Sequence, residues 1–256
     1  MSKQRRITET VLRLALWCGV GILVAIGIAS AMGRAWSLEH PGLADNLIRQ
    51  MLPATEVHFV DEFNRWFATH KVLTLVHIVP GSLFFILGPF QFSSRIRTRY
   101  LRFHRWSGRV VALAALPVGL SGLLFGVVFP IGGPLASSAI FVAGAFFLLA
   151  VTRAFIAIRR HDVARHREWM IRMFAIGLGI STVRIVGLVL LPIIPTRSLE
   201  LRTGLSFWLG FALTFAAAEF WVRHTRLRRV TVQSCTTTAQ LIVPGEPRLN
   251  VAQLER

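Results

Sequence analysis

The chain has 256 residues, of which 54% are hydrophobic and 16% are charged, and its formal net charge is +17. This apolar content excludes disorder over most of the chain, and two cysteines are too few for a disulfide scaffold. The basic residues stand in short blocks between apolar runs, which argues against a soluble protein that binds nucleic acid. Runs of about 20 apolar residues match the ~30 Å hydrocarbon core of a bilayer. The sequence therefore predicts an integral membrane protein.

Six segments are predicted to span the membrane as helices. None of them alternates strictly between polar and apolar residues, so a membrane β-barrel is disfavoured. The predicted spans cover residues 11–31, 72–92, 109–129, 136–158, 170–192 and 204–221. They form an all-α bundle (residues 11–222) between a short N-terminal segment (1–10) and a basic tail (223–256) that is predicted to be flexible, with poor order from Thr231 onward.

The distribution of basic residues predicts the topology. Of the 29 Lys and Arg residues, 22 lie in four groups, at residues 3–13, 95–109, 153–172 and 223–256. With the N-terminus inside the cell, all four groups face the cytoplasm. The positive-inside rule therefore predicts that both termini are cytoplasmic and that the protein lies in the cytoplasmic membrane. Basic clusters beside the spans are expected to contact anionic lipid head groups.

The first predicted span has an alternative interpretation. Basic residues from Lys3 to Arg6, an apolar stretch and the sequence from Ala29 to Ala31 also fit a cleavable signal peptide. The apolar run of 21 residues is long for a signal peptide, which favours a retained span. Cleavage would leave five spans in the same orientation.

Residues 32–70 form the only long connection, on the outer side of the predicted bundle. Phe59, Phe63, Trp66 and Phe67 recur there at helical spacing and predict a short amphipathic helix in the membrane interface. Two interpretations stay open. The helix either packs on the bundle as a static cover, or it gates a site for a substrate.

Three motifs, each beginning near a histidine, resemble those of the domain-of-unknown-function 2306 family of membrane proteins. The likeness extends over roughly Leu73 to Leu191. It implies a helical membrane bundle in which His77, His104 and His166 are the characteristic polar positions, and it implies no substrate and no reaction. The motifs are His77-x-x-Pro80-Gly81 through Gly88-Pro89-Phe90-Gln91-Phe92, then His104-Arg105-Trp106-Ser107-Gly108-Arg109-Val110, then His166-Arg167-Glu168-Trp169-Met170-Ile171-Arg172.

The first candidate site lies at the predicted inner side. His104 and His166 each stand about one turn before the core of a span, so they share a depth. Two neutral imidazoles on neighbouring helices can be the axial ligands of a b-type haem, with Arg105, Arg109 or Arg172 on its propionates. Gly108 would leave room for the macrocycle. The alternative is a structural role, in which these side chains cap helices or contact lipid phosphates.

The second candidate site lies at the predicted outer side. His77 is about 7 Å and Arg184 about 12 Å deep in the membrane, so the two side chains can share a layer. A buried arginine usually faces the interior of a bundle. This pair predicts a pocket for a quinone, an anionic lipophile or a proton. In the alternative interpretation, Arg184 satisfies the Val76 carbonyl, which Pro80 deprives of its helical partner.

Other signals are weaker. Glu219 is expected to pair with Arg223 on the surface of the last span. There is no phosphate-binding loop, no zinc-protease motif, no nucleophile elbow and no metal motif besides the haem hypothesis, so the sequence favours a protein that is not an enzyme. Three hypotheses stay open: a haem electron-transfer protein, a transporter or binder of lipophilic ligands, and a structural protein with unknown protein partners.

Overall fold

The computed structural model describes residues 3–40, 61, 64–128, 132–194 and 199–242. All regular secondary structure in these ranges is helical, so the all-α prediction is confirmed. Six of the helices in these ranges contain a stretch that is long and apolar enough to cross a membrane, which gives six candidate spans. We number seven helices: α1 (Lys3–Glu39), α2 (Lys71–Phe92), α3 (Ser94–Arg99), α4 (Leu101–Val128), α5 (Gly133–Arg159), α6 (Val163–Leu190) and α7 (Leu199–Ile242).

Three helices begin well before their predicted spans. Helix α1 begins at Lys3, α4 at Leu101 and α6 at Val163, whereas the predicted spans begin at residues 11, 109 and 170. The predicted spans cover the apolar segments. Arginines are compatible with helical turns that lie at the membrane surface, so the helices begin before the apolar segments do. Asp162 caps α6 by accepting a hydrogen bond of 2.9 Å from the Arg165 amide, which fixes the start of this helix.

The last helix extends past its predicted span. The span was expected to end at residue 221, but α7 continues to Ile242. No proline or glycine interrupts the sequence between Gly210 and Pro244, so the backbone meets no residue that breaks a helix. Residues 223–242 of the predicted tail are thus helical, and residues 243–256 lie outside the described residues.

The helices form a bundle with two distinct ends. Helix α2 packs against α4, α4 against α5, α5 against α6, and α7 against both α5 and α6, while α1 lies on α2 and α6. We call the end with the connections from α2 to α4 and from α5 to α6 the basic end, because it carries the arginines at residues 95–109 and 153–172. The other end is called the opposite end.

Phenylalanine rings fill the centre of the bundle. Phe84 of α2 lies 5.5 Å from Phe174 of α6 and 5.7 Å from Phe147 of α5, measured between ring centroids. Glycines make room for these rings: a Cβ at Gly88 would lie 2.2 Å from the Phe174 ring, and one at Gly177 would lie 2.6 Å from the Phe84 ring. These two contacts also show that α2 and α6 run in opposite directions.

Candidate functional site

The facing sides of α2 and α6 can be followed outwards from the contact between Phe84 and Gly177. Residues seven apart lie on one side of a helix, two turns from each other. Because the helices are antiparallel, seven residues towards the opposite end lead to His77 on α2 and Arg184 on α6. The two side chains therefore share a layer about 10 Å from the Phe84 ring. Arg184 is near enough for its charge to act on His77.

Helix α4 holds the His77 imidazole. Nδ1 of His77 lies 2.9 Å from Oγ of Ser121. The Ser121 hydroxyl donates its single proton to the carbonyl of Pro117, one turn earlier in α4. Ser121 therefore accepts a hydrogen bond from the Nδ1–H group of His77. Nε2 of the neutral ring keeps its lone pair and can accept a hydrogen bond from a further partner.

The Arg184 guanidinium has few partners within the protein. Nη1 donates to the carbonyl of Ile180, 2.9 Å away and one turn earlier in α6. The structural interpretation, in which Arg184 satisfies the Val76 carbonyl of α2, is not what this bond shows, because it stays within α6. In the described ranges no carboxylate forms an ion pair with Arg184, and its side chain is exposed. A guanidinium has five N–H donors, so most of them are available to a ligand.

A buried hydroxyl beside Arg184 also lacks a partner. Ser181 is 0% exposed, and its Oγ makes no hydrogen bond to any part of the chain that the structure describes. Serine and threonine inside helices often donate to the carbonyl four residues back, as Thr214 does to Gly210. Ser181 lies three residues before Arg184 and so on an adjacent part of the same helix surface. A bound group with an acceptor atom would satisfy this hydroxyl.

Thr182 contributes to a separate feature. Its Oγ1 has no hydrogen-bond partner either, but the residue lines an apolar groove of about 340 Å³ between α1, α6 and α7. Gly19, Leu23 and Leu213 form other parts of this groove. Lipid chains fill an apolar groove of this kind in a bilayer, and we assign it no further role.

Phe125 lies next to His77, and Trp66 and Phe67 pack on Phe125; we call these three side chains the aromatic wall. The Phe125 ring of α4 is 4.9 Å from the imidazole, and it is 5.5 Å from the ring of Trp66 and 5.8 Å from that of Phe67. Nε1 of Trp66 donates to the Val128 carbonyl at 3.0 Å, which ties the connecting segment to the end of α4. Residues 64–69 are helical, whereas Phe59 and Phe63 lie outside the described residues.

A second polar contact joins α2 and α4 near the basic end. Gln91 lies fourteen residues after His77, and Ser107 lies fourteen residues before Ser121, so both contacts have the same register. The Gln91 amide is 2.7 Å from Oγ of Ser107. With its nitrogen turned towards His104, it also donates to Nδ1 of that ring at 3.2 Å. The two polar contacts are about 21 Å apart along the bundle.

His104 and His166 occupy equivalent positions, because each is the fourth residue of its helix, α4 or α6. Nδ1 of His166 lies 2.9 Å from the carbonyl of Ala154 in α5, to which it donates. Nε2 of His166 therefore keeps its lone pair.

The three arginines that were predicted to meet haem propionates have different surroundings. Arg105 and Arg109 are exposed. Arg172 instead binds α7 through a bidentate pair with Glu219, in which Nη2 and Oε2 are 3.2 Å apart. Its guanidinium also lies 4.9 Å from the Trp169 ring. Arg172 is thus occupied within the protein.

Two further charges complete what we call the α6–α7 clamp, which consists of Glu168, Arg172, Glu219 and Arg226. Nε of Arg226 donates to Glu168 at 2.9 Å, and Glu168 also lies 3.9 Å from Arg172. The expected surface pair of Glu219 with Arg223 is wrong, because the Glu219 carboxylate faces α6 and binds Arg172. This clamp fastens α7 to α6 at the basic end.

The haem hypothesis rests on His104 and His166. Within the described part of the chain, no group of three or more His, Cys, Asp or Glu residues could hold a metal ion. Gly108, which is predicted to make room for a macrocycle, faces Gln91: a Cβ there would lie 3.0 Å from the end of the Gln91 side-chain amide. The hypothesis stays a prediction. A reduced absorption spectrum tests it, because bound haem gives a Soret band that His166→Ala would remove.

These features define an integral membrane protein with six candidate membrane-spanning helices. The family model described as "Predicted membrane protein (DUF2306)" matches residues 74–222, more than half of the chain. The chain therefore belongs to this family, as its motifs indicated. The match includes His77, His104, His166 and Arg184. No curated protein and no solved structure matches the chain.

Proposed function

We propose that the protein binds a small lipophilic molecule within the membrane, and that it acts as a transporter or carrier for that molecule. The binding site is the layer that contains His77, Ser121, Ser181 and Arg184, which we call the His–Arg layer. The head group of the ligand carries a negative charge or a carbonyl oxygen, because such a group matches the hydrogen-bond donors that the layer offers.

The main support is the environment of Arg184. An arginine inside the membrane costs about 2.5–3.5 kcal/mol on insertion scales, and such residues usually pair with another group or line a functional pathway. Among the residues that the structure describes, Arg184 has one hydrogen bond, to a carbonyl of its own helix. The arginines of the α6–α7 clamp show the contrasting arrangement, because each of them meets a glutamate. The Ser181 hydroxyl adds a second donor in need of an acceptor.

Replacement of Arg184 tests this proposal. Decanoate, a lipophilic anion, is expected to raise the thermal stability of the detergent-purified protein, by about 1.4 kcal/mol at ten times its dissociation constant. Arg184→Gln should remove this effect, because it deletes the charge that binds the carboxylate. Arg184→Lys should keep part of it. Thermal unfolding with and without decanoate measures the difference.

Arg109→Gln is the matched control. It makes the same chemical change at an exposed arginine of the basic end, so decanoate should stabilise this variant as it does the unmodified protein. Equal stabilisation of Arg184→Gln and Arg109→Gln would contradict the proposal, since the anion would then act elsewhere or through the detergent.

We further propose that the basic end faces the cytoplasm and contacts anionic lipid head groups of the cytoplasmic membrane. The support is the asymmetry of 22 basic residues in four groups that share one predicted side. Exposed aromatic residues at this end, Tyr100 and Trp106, are typical of the membrane interface.

A further inference from the structure

We infer that the head group bound at the His–Arg layer is a flat, oxygen-bearing ring of the quinone or quinol class. This inference rests on the proposed function and narrows it. A protein that binds lipophilic molecules could take either a fatty acid or a quinone. Two features of the layer carry it: the aromatic wall and the arrangement of hydrogen-bond donors and acceptors.

The aromatic wall favours a ring over an acyl head group. Phe125 lies between His77 and the segment that carries Trp66 and Phe67, so aromatic surface continues from the imidazole towards the opposite end. Aromatic rings prefer offset or edge-to-face contact with other rings. A carboxylate or phosphate would bind Arg184 but would make no specific contact with the aromatic wall. A quinone can bind Arg184 through a carbonyl oxygen and contact the aromatic wall through its ring.

The polar groups also match both oxidation states of the ring. Arg184 and Ser181 offer donors, which a quinone carbonyl accepts. Nε2 of His77 offers a lone pair, because Nδ1–H already bonds Ser121. A quinol hydroxyl can donate to this atom. A fatty-acid carboxylate has no proton to give, so it would leave Nε2 of His77 unused.

The test compares two probes with the same alkyl tail. A decyl-substituted benzoquinone and decanoate are each titrated into the detergent-purified protein, and affinity is measured by thermal shift and by competition between the probes. The quinone should stabilise the unmodified protein and displace decanoate. Phe125→Leu should weaken quinone binding about three- to tenfold and leave decanoate binding unchanged, because only the ring contacts the wall.

Phe103→Leu is the matched control, since Phe103 is a partly exposed ring at the basic end and should not affect either probe. Decanoate binding that depends on Arg184, without any quinone binding, would overturn this inference and leave the proposed function intact. Binding of neither probe would overturn both. If Phe125→Leu fails to fold, competition on the unmodified protein decides: a quinone that does not displace decanoate contradicts the inference.

Discussion

Gly88→Ala is expected to destabilise the protein by about 1–3 kcal/mol or more, because it overpacks the centre of the bundle. The new methyl group would lie 2.2 Å from Cε2 of Phe174, and that ring cannot simply move, since it also contacts Phe84 and Phe92. Thermal unfolding of the detergent-purified variant measures the loss of stability.

Gly21→Ala is the control for this substitution, because no atom lies within 4 Å of a Cβ at that position, and its stability should stay close to that of the unmodified protein. Phe174→Leu combined with Gly88→Ala should recover part of the loss, since the smaller side chain vacates the contact. If the Gly88→Ala variant proves as stable as the Gly21→Ala variant, α2 and α6 do not pack through Gly88.

Glu219→Gln is expected to cost about 3 kcal/mol, because it leaves the Arg172 guanidinium without its main partner. The Arg172 side chain is only 14% exposed, so water cannot fully replace the lost carboxylate. Glu168 remains 3.9 Å from Arg172 and limits the damage. Removal of both members, in Arg172→Met with Glu219→Leu, should destabilise less than the single change does.

Asp162→Asn provides the comparison for this pair. Its partner Arg165 is 76% exposed, and asparagine can still cap α6, so the change in unfolding free energy should be close to zero. Thermal unfolding of the two variants under the same conditions gives the contrast. A Glu219→Gln variant no less stable than Asp162→Asn would mean that the α6–α7 clamp does not hold α7 in place.

The sequence was sufficient to predict what depends on local composition. Apolar length identified six spans. Helix α2 ends at Phe92, where Ser93 separates it from the short α3. Depth along the chain placed His77 and Arg184 in a common layer, and the register from Phe84 and Gly177 gives the same result. Counting residues along a straight helix is enough for such estimates.

Contacts between helices could not be predicted from the sequence, because they depend on how each helix is rotated about its axis. Ser121 and Phe125 became partners of His77 only through the packing of α2 on α4. Glu219 has Arg223 four residues away in sequence, yet it binds Arg172, which lies 47 residues away. Phe174 and the other core rings determine how α6 is rotated about its axis. The sequence of α7 gives no information about this rotation, so it cannot predict which residue of α6 faces Glu219.

We propose above that the His–Arg layer holds a lipophilic molecule through Arg184. Native mass spectrometry of the protein extracted from its membrane is the sharpest test of this proposal. We expect a bound small molecule on the unmodified protein and on the Arg109→Gln variant, with its occupancy strongly reduced on the Arg184→Gln variant. The same molecule at equal occupancy on the Arg184→Gln variant would overturn the proposal.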